Sequence, residues 1–184
     1  MNKRISTHNE FTRTEQLFNS VQRHRLEMQG YRGYSDQELS RFGYWTRLAP
    51  ALCAAAGIVG TVFTSEVIIW ILATIALFGA ALPLHPFDWF YNHVLRHPLG
   101  THPVPHHGRP RRFACTIATG WLAGTGAAFY LGSDLVGYIL GVLFVITAAV
   151  PAAIGFCIPS YIYQRFTQLG SGFKEWKVAR KFGS

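Results

Sequence analysis

The sequence predicts an all-α integral membrane protein with four transmembrane helices arranged as two hairpins. The main observation is that charged residues are almost absent from two long stretches. Glu66 is the only charged residue in residues 48–84, and Asp134 is the only one in residues 113–164. Each stretch is too long for one bilayer crossing but suits two, because one crossing takes about 17–25 apolar residues.

A small polar turn divides each stretch into two crossings. These turns are Thr64–Glu66 (TSE) and Gly132–Asp134 (GSD), and such clusters of small polar residues interrupt apolar helices. The predicted transmembrane domain covers residues 48–164, with spans at 48–63, 67–84, 113–131 and 135–163.

The basic residues predict the orientation. Of the 17 Lys and Arg residues, eight lie in residues 1–47, four in the loop 85–112 and five after Gln164. Because cytoplasmic flanks are enriched in Lys and Arg, we expect a multi-pass protein of the bacterial inner membrane with both termini and the loop in the cytoplasm. The formal net charge of +8 then reflects the inner membrane face, where anionic lipids attract cations, and nucleic acid is not expected as a partner.

Short amphipathic helices are expected at both ends of the chain. In the segment 1–47, Thr12–Glu15 and Ser35–Glu38 match the capping-box pattern of helix starts. The apolar residues of the first of these helices would face the membrane, a partner or the protein's own cytoplasmic loop; they are Leu17, Phe18, Val21 and Leu26. The segment 165–184 predicts a basic interfacial helix in which Phe173 and Trp176 lie at headgroup depth.

Two pairs of glycines with small-residue spacing predict close helix packing. Gly120 and Gly124 lie in the third span, and Gly137 and Gly141 lie in the fourth. Small residues four apart let two helix backbones approach, which matters because lipid supplies no hydrophobic force between helices. We interpret both pairs as packing interfaces.

The loop 85–112 holds six of the eight histidines. Its first part predicts an interfacial helix from Pro86 to His97, in which Trp89, Phe90 and Tyr91 suit the headgroup layer. Five histidines are candidate ligands of a transition metal, since neutral imidazole binds zinc, copper and iron; these are His93, His97, His102, His106 and His107.

Those histidines are similar to the histidine boxes of membrane di-iron desaturases. Such a centre needs ligands from several separate segments, however, whereas one loop supplies all of them here. We therefore expect no cofactor and expect the loop to contact lipid headgroups or a partner. A bound transition metal is the alternative. An unperturbed histidine titrates near pH 6.5, so such a contact would be sensitive to pH.

The three cysteines are predicted near one depth. Cys53, Cys115 and Cys157 each lie a few residues inside the cytoplasmic end of a different span. Buried cysteines are usually small apolar side chains, and a reducing cytoplasm disfavours disulfides. Metal binding or thiol redox chemistry is the alternative.

Three segments carry a resemblance to a known family. They are HPFDWFYN (His85–Asn92), RRFAC (Arg111–Cys115) and GFCIPSYIY (Gly155–Tyr163). Over residues 48–165 the chain resembles the uncharacterised bacterial integral-membrane family DUF4395. The resemblance implies a topology but no reaction. Members carry a Cys-x-x-Cys pair in the last span, and here the matching positions hold Cys157 and Ser160, so the second thiol is missing.

Together these patterns predict a small non-catalytic membrane protein. We expect an accessory or scaffold subunit that docks onto a larger bacterial membrane complex, such as one that transfers electrons or handles quinones. The spans contain no charged residue away from the hairpin tips, which disfavours a transporter. The alternative is a membrane redox enzyme that uses the histidine cluster or the cysteines.

Overall fold

A computed structural model describes residues 20–167, and within this range every regular element is a helix. The helices are α1 (Ser20–Met28), α2 (Asp36–Phe42), α3 (Leu48–Val62), α4 (Glu66–Ala81), α5 (Pro86–Leu99), α6 (Arg109–Tyr130), α7 (Asp134–Ile154) and α8 (158–167). A 3₁₀ turn, Trp45–Arg47, leads directly into α3.

The four long helices α3, α4, α6 and α7 form a bundle. Helix α4 packs on α6, α3 packs on α7, and further contacts join α6 to α7 and α3 to α4. The core of the bundle is mainly apolar and contains Ile69, Leu72, Ala73, Ala76, Leu122, Phe129 and Phe144. The polar turns at Thr64–Glu66 and Gly132–Asp134 connect the helices of each hairpin, and Ser65 caps the start of α4.

The outer surface of the bundle is rich in large apolar side chains. Exposed examples are Val62, Phe63, Ile71, Leu77, Phe78, Ile139, Val142, Leu143 and Ile146. Among residues 20–167, two helices are long and apolar enough to cross a membrane, namely Trp45–Val62 and Asp134–Ile154. A third span arises if Glu66–Ala81 and Pro86–Leu99 are taken as one helix bent by 82°.

The sequence predicted four spans, and two helices differ from that expectation for physical reasons. Helix α4 has only 16 residues, slightly fewer than the roughly 17 needed for a crossing. Helix α6 has 22 residues, but three arginines lie in its first turn, and three threonines and three glycines lower the hydropathy of residues 113–130.

The last apolar helix ends earlier than the sequence suggests. Helix α7 stops at Ile154 because Gly155 adopts a left-handed conformation with φ of 68°. The chain then resumes as α8 from residue 158. Residues 135–163, expected as one span, are therefore two helices.

Helix α5 continues past the expected end at His97. Pro98 removes a backbone donor and would clash with the carbonyl of Val94 in a regular α-helix. A π-helical segment, Tyr91–Leu95, lies just before it and changes the hydrogen-bond spacing. Helix α5 therefore reaches Leu99 and ends at Gly100, which has φ of 60°.

The N-terminal layer, residues 20–47, packs onto one end of the bundle. Its own small core joins Leu26, Tyr31, Leu39 and Phe42. The capping box at Ser35 is present, with Ser35 N donating to Glu38 Oε2 at 2.8 Å. Leu26 is thus buried within the protein, whereas Val21 is half exposed. The other features predicted for the tails lie outside the described residues: Thr12–Glu15, Leu17, Phe18, Phe173 and Trp176.

We call the end of the bundle that this layer covers the basic end. Here α4 and α7 finish, and each leaves carbonyls without helical partners. Arg112 donates to the carbonyls of Ala80 at 2.8 Å and Ala81 at 2.6 Å. Cations at a helix C-terminus also interact favourably with the helix dipole.

Helix α7 is capped in the same way by the N-terminal layer. The acceptors are the carbonyls of residues 153–155. Arg47 donates to Ala153 at 3.0 Å, Arg25 to Ile154 at 2.7 Å and Gln29 to Gly155 at 2.7 Å. The layer is therefore held to the bundle by polar bonds to helix-end carbonyls.

The four predicted glycines occupy two different environments. Gly137 and Gly141 are buried, and a Cβ on either would meet Phe129 or Thr61. Gly120 and Gly124 are exposed on α6; a Cβ at Gly120 would have no neighbour within 4 Å, and one at Gly124 only Leu140. The α7 pair therefore packs inside the bundle, whereas the α6 pair faces outward.

Candidate functional site

An ion pair is buried at the basic end. Arg111, in the first turn of α6, places Nη2 3.0 Å from Oδ2 of Asp88 in α5. Arg111 is 7% exposed and Asp88 only 1%. The same guanidinium donates from Nη1 to the Tyr31 hydroxyl at 2.6 Å and from Nη2 to the Thr46 carbonyl at 3.4 Å. One side chain thus joins α5, α6 and the N-terminal layer.

Burial and the partner charges act against each other in this pair. Burial raises the pKa of Asp88, and the charge of Arg111 opposes that rise. For Arg111 the effect of its partners outweighs burial, so its pKa is raised. Burial also raises the pKa of Tyr31 to about 12, so the phenol is neutral when it accepts from Arg111. Asp88 Oδ1 has no hydrogen-bond partner among residues 20–167. Removing one member of such a pair would leave an uncompensated buried charge.

His85 lies beside the pair and caps the start of α5. Its Nδ1 accepts a hydrogen bond from the backbone N–H of Phe87 at 3.3 Å. Burial lowers the pKa of His85 to about 3, and the positive charge of Arg111 acts in the same direction. The ring is therefore neutral, and because Nδ1 is an acceptor, the proton is on Nε2.

His107 is the only buried member of the five predicted metal ligands. Its Nε2 donates to the carbonyl of Gly79 at 3.1 Å, which helps to cap α4. Burial lowers the pKa of His107 to about 4, and Arg111 contributes to this lowering. The backbone carbonyl accepts the proton on Nε2, so the second ring nitrogen, Nδ1, is left buried without a partner in the described part of the chain.

The other four predicted ligands do not join it. His93, His97, His102 and His106 are exposed, and His93 stacks on Trp89 with ring centroids 4.5 Å apart. Between residues 20 and 167, no three His, Cys, Asp or Glu side chains are placed to hold a metal ion.

The aromatic residues of α5 divide between surface and interior. Trp89 is 54% exposed and Phe90 45% exposed, whereas Tyr91 is fully buried. Tyr91 stacks on Trp45 at 4.8 Å and its hydroxyl lies 2.7 Å from Thr101 Oγ1. Tyr91 therefore packs α5 against Trp45 and bonds it to Thr101, whereas Trp89 and Phe90 face outward.

All three cysteines line one cavity at the basic end. Its volume is about 150 Å³ and its walls are mainly apolar. All three thiols are free and none is fully exposed. The polar residues that line the cavity are Gln29, His85, Arg111 and Thr147.

Two small residues shape this region. A Cβ on Gly79 would collide with the His85 ring and lie 3.2 Å from Cys115 Sγ, so the glycine lets both side chains approach α4. Ser160 is fully buried and donates to the Pro110 carbonyl at 3.2 Å. It stands at the position where the resemblance implied a second cysteine, so Cys157 has no thiol three residues away.

Sequence patterns alone do not indicate His85, Asp88 and Arg111 as a site. One signal was present, because Asp88 is the only acidic residue in the loop 85–112. A lone carboxylate among four arginines has an available partner within its own segment. The choice of Arg111 over the others depends on the packing of α5 against α6.

Fold and site together define a helical protein with two or three helices of membrane-spanning length and composition, and with an ion pair and a thiol-lined cavity at one end of its bundle. The chain belongs to the family described as Domain of unknown function (DUF4395), whose model matches residues 44–168. The predicted resemblance is thereby confirmed. No curated protein and no solved structure shows significant similarity to the chain.

We predict that breaking the ion pair destabilises the fold strongly. Arg111→Met should lower the free energy of unfolding in detergent by about 3–5 kcal/mol, because Asp88 would be left as an unpaired buried charge. The double variant Asp88→Leu/Arg111→Met should lose much less than the sum of the two single variants. The matched control is Arg23→Met, since Arg23 pairs with Glu27 and Asp36 at the surface and its loss should change little. Additive losses in the double variant would contradict this prediction.

We also predict that stability rises with pH between about 4 and 6.5. In this window His85 and His107 bind protons in the unfolded state but stay neutral in the folded state, because their folded pKa values are about 3 and 4. Each contributes a slope of up to about 1.4 kcal/mol per pH unit, and the stabilisation is complete above the unfolded pKa. The unfolding free energy of detergent-solubilised protein, measured at several pH values, tests this.

The variant for this test is His107→Gln, whose amide still donates to Gly79 but does not titrate. It should show a shallower dependence on pH. The control is His97→Gln at an exposed position, which should leave the slope unchanged. Parallel curves for wild type and His107→Gln would show that His107 titrates normally.

Proposed function

We propose that the chain crosses the bacterial inner membrane four times, as two hairpins with both termini and the loop 85–112 in the cytoplasm. The side-by-side packing of α3, α4, α6 and α7 and the apolar outer surface support this topology. The basic residues support the orientation, since neither hairpin tip carries Lys or Arg. The 82° bend between α4 and α5 would lay α5 along the membrane surface.

Reporter insertions test this topology. Alkaline phosphatase, which is active only outside the cytoplasm, should be active when inserted after Gly132 and inactive after Gly100. Green fluorescent protein at the same positions should give the opposite pattern. An active phosphatase at Gly100 would place the loop on the outer side and contradict the proposal.

Within this topology we propose that the protein is a non-catalytic accessory or scaffold subunit of a larger membrane complex. The observation that carries the proposal is the outward-facing pair Gly120 and Gly124 on α6. Small residues four apart are the usual means by which a second helix approaches closely in lipid. The equivalent pair in α7 is already occupied by the protein's own residues, whereas the α6 pair is open to a helix of another subunit.

A second surface supports docking at the cytoplasmic side. Helix α5 exposes Trp89, Phe90, Val94 and Leu99, each about half exposed. At the membrane surface these side chains suit headgroups or a partner protein, since aromatic residues prefer that layer. The bilayer and a larger complex, for example one that transfers electrons or handles quinones, are the proposed partners.

The test is the size of the native assembly. We expect the tagged protein, expressed from its own locus and extracted in mild detergent, to migrate in native gels with larger subunits. Gly120→Leu/Gly124→Leu should release it as a small species, because the two side chains would block a close helix approach. Ala55→Leu on the exposed surface of α3 is the matched control. If the double glycine variant migrates with the complex as wild type does, the α6 pair is not the interface.

The cavity favours a second candidate function, that of a thiol-dependent redox protein. Three free cysteines share this cavity. Two thiols would form a disulfide and release two protons and two electrons, which an acceptor such as a quinone would take up as a hydroquinone. His85 would not act as the base, since its Nδ1 is already occupied by the Phe87 N–H.

Thiol counting tests this candidate. Cells are treated with an oxidant and quenched with acid, and the free thiols of the protein in their membranes are then alkylated and counted. The wild-type protein should have two fewer free thiols after oxidation, and reduction should restore both. Cys115→Ala should abolish the change. If all three cysteines stay free under all conditions, the redox function is contradicted, whereas the subunit proposal is unaffected.

A further inference from the structure

The thiol-lined cavity is polar at one end and mainly apolar elsewhere. Gln29, His85 and Arg111 lie at its polar end, and Trp121 and Phe144 line it further inside. Thr147 also lines it, but its hydroxyl donates to carbonyls of its own helix. The lining therefore suits a molecule with one polar end and an apolar body.

The polar end offers a hydrogen-bond donor with no partner. His85 carries its proton on Nε2, and none of the other described residues accepts a hydrogen bond from that atom. The residue is 3% exposed and its ring is fixed by the capping bond to Phe87. This Nε2 atom is not sealed inside the protein, and His85 lines the cavity, so a ligand in the cavity that brings an acceptor to this point can pair with it.

The charges at the polar end favour a neutral carbonyl over a carboxylate as the ligand's acceptor. The positive charge of Arg111 is already matched by Asp88 at 3.0 Å. A ligand carboxylate would therefore add an uncompensated negative charge to a buried site, which is unfavourable. A neutral carbonyl oxygen accepts from His85 without that cost.

The walls further inside favour a flat ring. Trp121 and Phe144 offer aromatic surfaces, and the cysteines and alanines beside them, Cys53, Cys115, Ala76, Ala118 and Ala148, are small. A cavity of roughly this volume in an engineered protein core holds a benzene molecule. The enclosed space thus matches one six-membered ring, and because the cavity is partly open, substituents on the ring can extend out of it.

We propose that this cavity binds the ring of a lipid-soluble quinone, with one ring carbonyl accepting a hydrogen bond from His85 Nε2–H. The cavity favours a ligand with a neutral carbonyl acceptor, a single flat ring and an apolar body, and a lipid-soluble quinone combines these three features. This site goes beyond the subunit function proposed above, and its occupancy does not depend on the glycine pair of α6.

The experiment uses decylubiquinone, whose fully substituted ring does not alkylate thiols. We expect the purified full-length protein in detergent to bind one molecule per chain saturably in equilibrium dialysis. Ala118→Leu should fill the cavity and weaken binding at least tenfold, whereas Ala55→Leu, on the exposed surface of α3, should bind as wild type does. His85→Asn, which keeps a capping oxygen but shortens the donor, should weaken binding about fivefold to tenfold, the loss of one hydrogen bond.

Two competitors identify the chemistry that is recognised. Decanoate and decylbenzene should displace the quinone poorly, because the first adds a charge and the second lacks a carbonyl. Stronger binding of decanoate than of the quinone would overturn the proposal in favour of a fatty acid site. Binding that Ala118→Leu leaves unchanged, or no saturable binding by correctly folded wild type, would also overturn it. Native-gel migration of the same variants reports separately on assembly, so failure of one proposal does not imply failure of the other.

Discussion

The arrangement of the basic end depends on the burial of one guanidinium. Arg111 stands at the start of an apolar helix, where its charge is tolerated only with a carboxylate and further acceptors around it. Asp88, Tyr31 and the Thr46 carbonyl supply them, and each comes from a different segment. Their positions fix where α5 crosses the bundle and how the N-terminal layer sits on it. The cavity takes its polar end from this same group of residues.

The ends of the apolar helices impose a related constraint. A helix that stops at the boundary of an apolar bundle must find donors for its last carbonyls. In this fold those donors come from elsewhere in the chain, namely Arg112 and His107 for α4, and Arg25, Gln29 and Arg47 for α7. The sequence predicts that these basic residues mark one face of a membrane, and the structure shows that they also donate hydrogen bonds to specific carbonyls.

The sequence predicts those parts of the fold that depend on neighbouring residues. The polar turns at Thr64–Glu66 and Gly132–Asp134, and the capping box at Ser35, are local patterns and lie where helices begin or end. The early end of α7 is harder to foresee, because the apolar composition continues past Gly155 and hides the left-handed turn.

The site depends on contacts that no local pattern contains. Cys53, Cys115 and Cys157 could be placed at similar depths from helix register, but their meeting in one cavity depends on which helices are neighbours. Arg111 and Tyr31 are 80 residues apart, so their bond depends on the fold as a whole. The outward orientation of Gly120 and Gly124 cannot be predicted from the sequence either, since their spacing is the same as that of the buried pair in α7.

The attachment of the N-terminal layer has a consequence for biosynthesis. Gln29 binds the carbonyl of Gly155, and Gln164 donates to the carbonyl of Met28, so these contacts join segments separated by 126 and 136 residues. Gly30 also meets Gly108 backbone to backbone, and a Cβ on Gly30 would lie 2.7 Å from Gly108 Cα. Although residues 20–47 are translated before the bundle helices, they reach their final position only after α7 and α8 have been translated. This early segment is therefore among the last of the described residues to be ordered.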